Sequence, residues 1–276
     1  MRIGAISNSW GLQIDGDNLP ELVRKAKQRG SKHIELRQTF LGACETGTED
    51  GWRPVTGKLQ SLADEFPDLA FNLALALPWM SGGVAPDGEL FQQALEAAKA
   101  VDREAPHLRL VDPAQQDGVW ESPDDIPEEA MSVVELAKEA SAQGIVLSLE
   151  NSWQSTGALT ILVEKCRERL PGDAGRQLGL CIDPANQVMR QPETDALSEL
   201  AAVPLDMLKM VHFKQVRDGK LIPTVDDGEV DCARMVRILD AKGYTGPAIF
   251  EIPSHEDAFA NLSSSMAYVE RLSSNG

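Results

Sequence analysis

Positive charge is scarce in this sequence: 26 lysines and arginines stand against 43 aspartates and glutamates, a formal net charge of −17. So acidic a surface repels phosphate backbones and anionic lipid at long range, which counts against nucleic-acid and membrane partners while leaving room for a local basic pocket. Cysteine is also sparse. Cys44, Cys166, Cys181 and Cys232 form no C-x-x-C pair, and a chain of this length buries enough surface to need no disulfide staples. Reduced, buried thiols and a cytoplasmic location are therefore expected. No apolar run approaches the roughly 18 residues of a membrane-spanning helix. Met1-Arg2-Ile3-Gly4 leads straight into a strand rather than a signal peptide. There is no glycine-rich phosphate loop either: the first strand runs into Ser7-Asn8-Ser9-Trp10-Gly11, without a dinucleotide fingerprint, so no organic cofactor is expected. No linker or low-complexity tract divides the chain, and a single domain over residues 1–276 is expected.

What is present is a regular alternation of short apolar runs with helix-length segments. The pattern predicts strands at Arg2–Ser7, His33–Arg37, Ala70–Ala76, His107–Asp112, Ile145–Glu150, Leu178–Asp183, Leu208–Lys214 and Ala248–Ile252. Short apolar strands separated by helices argue for βα units and a parallel sheet. Their ends recur roughly every 30–40 residues, as a single α/β (β/α)8 TIM barrel requires. Asn18 and Pro20 mark one helix start and Gly30 its stop; Pro127 and Gly144 bound another; Asp231 and Gly243 bound a third. Glu89–Ala105 reads as a long alanine-rich helix, and Asp257–Leu272 as the last. An open doubly wound sheet would usually need the missing glycine-rich turn.

In such barrels the active site forms at the C-terminal ends of the strands. Four successive strands end on metal-competent side chains: Glu150, Asp183, His212 and Glu251. Carboxylates converging on one mouth repel one another, and a divalent ion removes the conflict. Oxygen donors with one imidazole suit Mn2+, Mg2+ or Co2+. Other residues have two readings each. Lys214 is a proton donor or the partner of a ligand carboxylate, and Arg217 a contact for substrate oxygen or a solvated loop residue. Trp10, Trp79 and Trp153 each follow a strand, to stack on a sugar or to pack the loops. Asn8, Glu35 and Asn72 are weaker candidates for hydroxyl contacts, Glu35 also for orienting a ligand.

The sequence resembles the xylose isomerase-like barrel superfamily, in its sugar phosphate isomerase/epimerase branch. The resemblance is carried by Leu147-Ser148-Leu149-Glu150-Asn151, Leu180-Cys181-Ile182-Asp183, His212-Phe213-Lys214-Gln215-Val216-Arg217-Asp218-Gly219, Gly228-Glu229-Val230-Asp231, Gly243-Tyr244-Thr245-Gly246-Pro247 and Ile249-Phe250-Glu251, with Ile34-Glu35 fitting the same pattern. It implies that Glu150, Asp183, His212 and Glu251 are the metal ligands, and that the two glutamates move protons on opposite faces of a bound sugar. Two positions depart from the family pattern. Asn186 stands where a substrate-contacting histidine is frequent, and Gln215 where an aspartate commonly follows the lysine.

The leading expectation is thus an enzyme: a metal-dependent isomerase or epimerase of a sugar or keto-sugar working through an enediolate, with one divalent ion and Glu150 and Glu251 as acid and base. The alternative on the same scaffold is a lyase or dehydratase acting on a keto-sugar, a keto-inositol or a 3-keto-glycoside, C-glycosides included. An endonuclease of the abasic-site type fits less well, because the chain holds only His33, His107, His212 and His255 and its charge is wrong for DNA. A non-catalytic subunit is a fourth reading. The partner expected is a small carbohydrate, and a homo-oligomer is left open.

Overall fold

The computed structural model of the chain describes residues 1–48, 51–115 and 120–274. Its strands β1 (Arg2–Ile6), β2 (His33–Arg37), β3 (Ala70–Ala76), β4 (His107–Val111), β5 (Val146–Glu150), β6 (Leu178–Ile182), β7 (Leu208–Phe213) and β8 (Pro247–Phe250) are parallel and follow one another around a closed barrel. Closure is the pairing of β8 with β1, Ala5 opposite Phe250. The expected (β/α)8 TIM barrel is the observed fold. The predicted strands are each matched to within a residue or two, with Ser7, Asp112, Asp183, Lys214 and Ile252 falling into the loops at the mouth.

Helices α1 (Leu19–Gln28), α2 (Thr56–Glu65), α3 (Glu89–Val101), α4 (Val133–Ala142), α5 (Thr156–Glu168), α6 (Gly172–Gln177), α7 (Pro184–Arg190), α8 (Ala196–Ala202), α9 (Cys232–Ala241) and α10 (Ala258–Ser274) surround the strands. None is long and apolar enough to cross a membrane. Three helix starts or ends differ from the sequence reading. α4 begins at Val133, since Pro127 opens a 3-10 turn over Glu128–Ser132 that precedes it. α3 ends at Val101 rather than Ala105, because the Asp102 carboxylate accepts from the backbone N–H of Glu104 and Ala105 and folds a turn there. Asn18 does not cap α1 with its side chain; its Oδ1 accepts from Asp15 N instead, fixing the approach to the helix. Asp231 does cap α9, accepting from Arg234 N.

Most apolar burial lies between strands and helices, where Phe213 stacks on Phe250 with centroids 5.3 Å apart. Inside the barrel the packing divides. One side is apolar, with Ile6, Cys181, Met210 and Ile249. The other holds buried polar groups: His33, Glu35, Asn72, His107, Arg109 and Ser148. They endure there because they bond to each other; His107 Nε2 lies 2.7 Å from Ser148 Oγ, and His33 Nε2 lies 2.8 Å from Asn72 Oδ1. A bulge sets the inward face of β7. Leu180 pairs with Leu208, but the next β6 residue, Cys181, pairs with Met210, so Lys209 is extra. Leu208 therefore packs in the outer core while Met210 lines the interior, and His212, two residues on, points inward as well.

Candidate metal centre

Each of the four metal-competent residues is delivered by a separate strand. Glu150 ends β5, His212 lies in β7, and Asp183 and Glu251 immediately follow β6 and β8. Period-two alternation turns all four side chains into the barrel. They offer ligand atoms within 4.8 Å of one another. Around His212 Nδ1 the distances are 3.3 Å to Glu251 Oε2, 3.5 Å to Glu150 Oε1 and 3.8 Å to Asp183 Oδ2. Donors that share one ion at about 2.1 Å stand roughly this far apart. His212 Nδ1 and Asp183 Oδ2 are buried and make no hydrogen bond, the latter having only the Lys214 ammonium at 3.2 Å as an ionic neighbour. A buried lone pair left in that state is costly, and a cation is what such a set of donors accommodates. These residues fit a divalent ion.

A buried network beneath orients them. Glu35 Oε2 lies 2.9 Å from His212 Nε2. With the Nε2 proton donated to that carboxylate, Nδ1 is left as the lone-pair nitrogen facing the acidic cluster. Glu35 Oε1 in turn accepts from Arg109 Nε at 2.8 Å and Asn72 Nδ2 at 3.2 Å, and Arg109 Nη1 reaches Glu150 Oε2 at 2.5 Å. Arg109 thus links the histidine's partner to a candidate ligand. Burial works to raise the Glu35 carboxyl, but Arg109 and His212 overcome it and hold it far below the usual range. Without a metal, burial disfavours the imidazolium of His212, yet its negative neighbours, Glu35 among them, draw its pKa well above the ordinary value, so that a divalent ion at Nδ1 would take the place of a proton. The pocket favours positive charge at that point.

Lys214 supplies some. Its Nζ lies 3.0 Å from Glu251 Oε2, 3.2 Å from Asp183 Oδ2 and 3.0 Å from Asn186 Oδ1. Burial opposes ionisation of Glu251, but Lys214, followed by His212 and Arg109, keeps its pKa well below normal. The other oxygen of Glu251 accepts from Asn8 Nδ2 at 3.0 Å. Asn186 donates to Glu150 Oε1 at 3.1 Å, so the residue in the family's histidine position tethers Glu150 and Lys214 together. Asp183 uses Oδ1 to cap α7, accepting from Ala185 N and Asn186 N, and leaves Oδ2 for the centre. Asn151 locks the pair of strands from below by donating to the Asp183 carbonyl and accepting from its N–H.

The remaining candidates are dispersed. Asn72 lies beneath the centre, bridging His33 and Glu35, rather than at the mouth. Trp10 is 1% exposed with its ring stacked on Phe259, and Trp79 is 0% exposed; neither presents a face to a sugar. Trp153 is half-buried, with the Arg190 guanidinium 3.7 Å from its ring centre. Arg217 lies outside the centre, in a ribbon of Val216–Arg217 with Lys220–Leu221, and pairs with Asp227 Oδ2 at 2.6 Å. The turn of that ribbon is Asp218-Gly219, both with positive φ, which explains the Asp-Gly pair there. Gln215 is a clamp: Oε1 accepts from Val216 N and Val230 N while Nε2 donates to the Val230 carbonyl. Gly228 is obligatory beside it, since a Cβ would sit 2.3 Å from Gln215 Cδ. Sequence reasoning missed Arg109, Asn151 and Arg37. A charge inside Leu108-Arg109-Leu110 was the available signal, because an arginine in a buried strand requires a counter-ion.

A closed (β/α)8 barrel with a carboxylate-imidazole cluster at its strand ends, able to hold a metal ion, is the class that fold and site define. The chain belongs to the xylose isomerase-like TIM barrel family, whose pattern it matches over residues 85–272. No curated protein matches it. Among solved structures, D-allulose 3-epimerase from Methylomonas sp. in complex with D-allulose is similar at TM-score 0.72 and 15% identity, covering 98% of this chain and 96% of that one. The 3-keto-D-glucoside 4-epimerase of E. coli is similar at TM-score 0.69 and 16% identity, with 98% and 99% covered. The IolI protein with a bound zinc atom gives TM-score 0.66 and 14% identity, with 100% and 97% covered.

Proposed function

We propose that this protein is a divalent-metal-dependent epimerase or isomerase of a sugar or keto-sugar, in which Glu150 and Glu251 remove and return a proton beside a carbonyl. The observation that carries the reading is the convergence of Glu150, Asp183, His212 and Glu251 on His212 Nδ1, over a Glu35–Arg109 pair that fixes the imidazole. The epimerase activities named for two structurally similar proteins support it. A divalent ion such as Mn2+, Mg2+ or Co2+, which Glu150, Asp183, His212 and Glu251 would hold, would polarise the substrate carbonyl and acidify the C–H beside it. The protein's own groups do the rest. Glu251, kept ionised by Lys214, is available as a base, and Asn8 holds its other oxygen in place. Glu150 is aimed by Arg109 and Asn186 from the far side of the four-strand arc. Trp153 at the rim offers the remaining aromatic wall for a sugar.

The lyase reading keeps one specific support. Lys214 is an ammonium 3.0 Å from Glu251, able to protonate a leaving group as that glutamate takes the substrate proton. The test separates the two. Ketoses, keto-glycosides and inosones incubated with Mn2+-loaded protein in D2O should gain deuterium at one stereocentre with no other mass change. Loss of water or aglycone would establish the lyase instead. Glu251→Gln should lose turnover by about 10²–10⁴-fold while retaining most Mn2+ affinity; turnover at the parent rate removes Glu251 from the mechanism.

A further inference from the structure

Arg37 carries a charge that the metal constellation does not use. On β2, His33, Glu35 and Arg37 share the inward face. His33 lies on the floor with Asn72, and Glu35 in the layer above holds His212. Arg37 ends the strand and so stands one layer higher, at the mouth. The like charge of Arg109 reaches it, as do the opposite charges of Glu251, Glu150 and Glu35. Yet among the described residues no carboxylate pairs with it, and its guanidinium makes one hydrogen bond, from Nη1 to the Gln38 carbonyl at 2.9 Å. Arg109, also in the barrel interior, differs: its fork is taken up by Glu35 and Glu150. A partly buried guanidinium with Nε and Nη2 uncommitted is a fork shaped for an oxyanion.

The chain around Arg37 is held in place. Its backbone N–H donates to Ser7 Oγ at 2.8 Å, and Gln38 Oε1 accepts from Ala76 N at 3.1 Å. Thr39 follows with φ 69, a left-handed conformation that β-branched residues avoid. It persists because the N–H groups of Thr39 and Leu41 both donate to the Glu45 carboxylate, at 2.8 and 2.7 Å, and Trp52 Nε1 grips the same carboxylate at 2.6 Å. Charge balance points the same way. Glu35, Glu150, Asp183 and Glu251 face Arg37, Arg109 and Lys214, and a divalent ion then leaves the centre one positive charge in excess. In a chain of net charge −17, a cationic mouth does not follow from composition.

We propose that Arg37 binds an anionic substituent of the substrate, a carboxylate or a phosphate ester, so that the natural ligand is a sugar acid or sugar phosphate rather than a neutral sugar. This rests on reading the centre as a metal-dependent sugar site. The experiment is calorimetric titration of parent and Arg37→Gln, first with Mn2+, then in the Mn2+-loaded state with D-fructose, D-fructuronate and D-fructose 6-phosphate. The parent should prefer one of the two anions to D-fructose by at least about 10-fold, and which anion wins identifies the substituent. Arg37→Gln should lose about 10- to 100-fold for that anion, the range for a charged hydrogen-bonding partner, while Mn2+ and D-fructose affinities stay within about threefold. Arg37→Lys keeps the charge without the fork and guards against a folding defect; it should recover part of the anion affinity. Mn2+ uptake with no anion preference in the parent, or a preference that survives Arg37→Gln, overturns the assignment of Arg37 alone. Failure of the parent to take up Mn2+ overturns the metal-centre reading, and the anion site with it.

Discussion

Arg109 is the residue on which the most buried charge depends. It is 2% exposed and contacts both Glu35 and Glu150. Removing it leaves the buried Glu35 and Glu150 carboxylates without the partner they share. Arg109→Met should therefore lower the unfolding free energy by about 3–5 kcal/mol, the cost of breaking a buried pair from one side. The metal should suffer too, because Glu35 and Glu150 would no longer be aimed; Mn2+ affinity should fall about 10–100-fold. Glu35→Gln keeps the size of the side chain and an oxygen able to accept from His212, and leaves Arg109 paired with Glu150, so it should lower both stability and Mn2+ affinity less than Arg109→Met. Urea unfolding and Mn2+ titration of both variants check this, and an Arg109→Met protein with parental stability would contradict the account.

Among the elements, α7 is the one built into the centre. Asp183 caps it through Oδ1, Pro184 occupies its first turn, and Asn186 in that turn reaches Glu150. Relief of carboxylate repulsion alone would predict that removing Asp183 stabilises the metal-free protein. The cap and the ion pair with Lys214 reverse that expectation. Asp183→Ala should cost about 0.5–2 kcal/mol of metal-free stability through the lost cap. Asp183→Asn retains a capping oxygen and should cost less, yet bind Mn2+ nearly as poorly as the alanine variant, since its one carbonyl oxygen is held by the cap and the amide NH2 turned to the centre has no lone pair for a metal. Equal stability of the two variants in EDTA would show that the cap is not the stabilising contact.

For the whole molecule, acid should be damaging well before the carboxylates titrate. Burial, the dominant influence, pushes His33 down to about 4 and His107 to about 3, from an ordinary 6.5. Around His33, Arg2 reinforces the depression while the Asn72 hydrogen bond, Glu35 and Asp102 oppose it; around His107, His33, Lys209 and Arg109 reinforce it and Glu35 opposes it. Both are neutral when folded and take up protons when unfolded, so stability is full above the unfolded value and falls as pH drops from 6.5 toward the folded values. At pH 5 each histidine accounts for about 2 kcal/mol, from about 1.36 kcal/mol per pKa unit. Unfolding in urea with EDTA should show a loss of about 2–4 kcal/mol between pH 7 and pH 5, and His107→Gln should remove roughly half of it. An unchanged pH dependence in that variant would place the acid sensitivity elsewhere.

The sequence by itself determined the barrel and the strand ends where chemistry can occur. Eight apolar runs at even spacing are a local property, and hydrophobic periodicity acts over a few residues at a time. It also put Glu150, Asp183, His212 and Glu251 on successive strands. What it could not contain was which side chains meet across the interior. Arg109 joins Glu35 and Glu150 from 74 and 41 residues away, pairings set by closure of the barrel and not by any local pattern. The single extra residue at Lys209 that turns His212 inward is invisible as periodicity, because Leu208, Met210 and His212 look alike in a two-residue repeat. Trp10 and Trp79 looked suited to a sugar-binding rim, and only three-dimensional packing consigned them to the core. Arg37 was an ordinary charge at a strand end until the tertiary structure left it within reach of the charges of Glu251, Glu150 and Glu35 with none of them as its partner, for a guanidinium's role is decided by the groups that remain to face it.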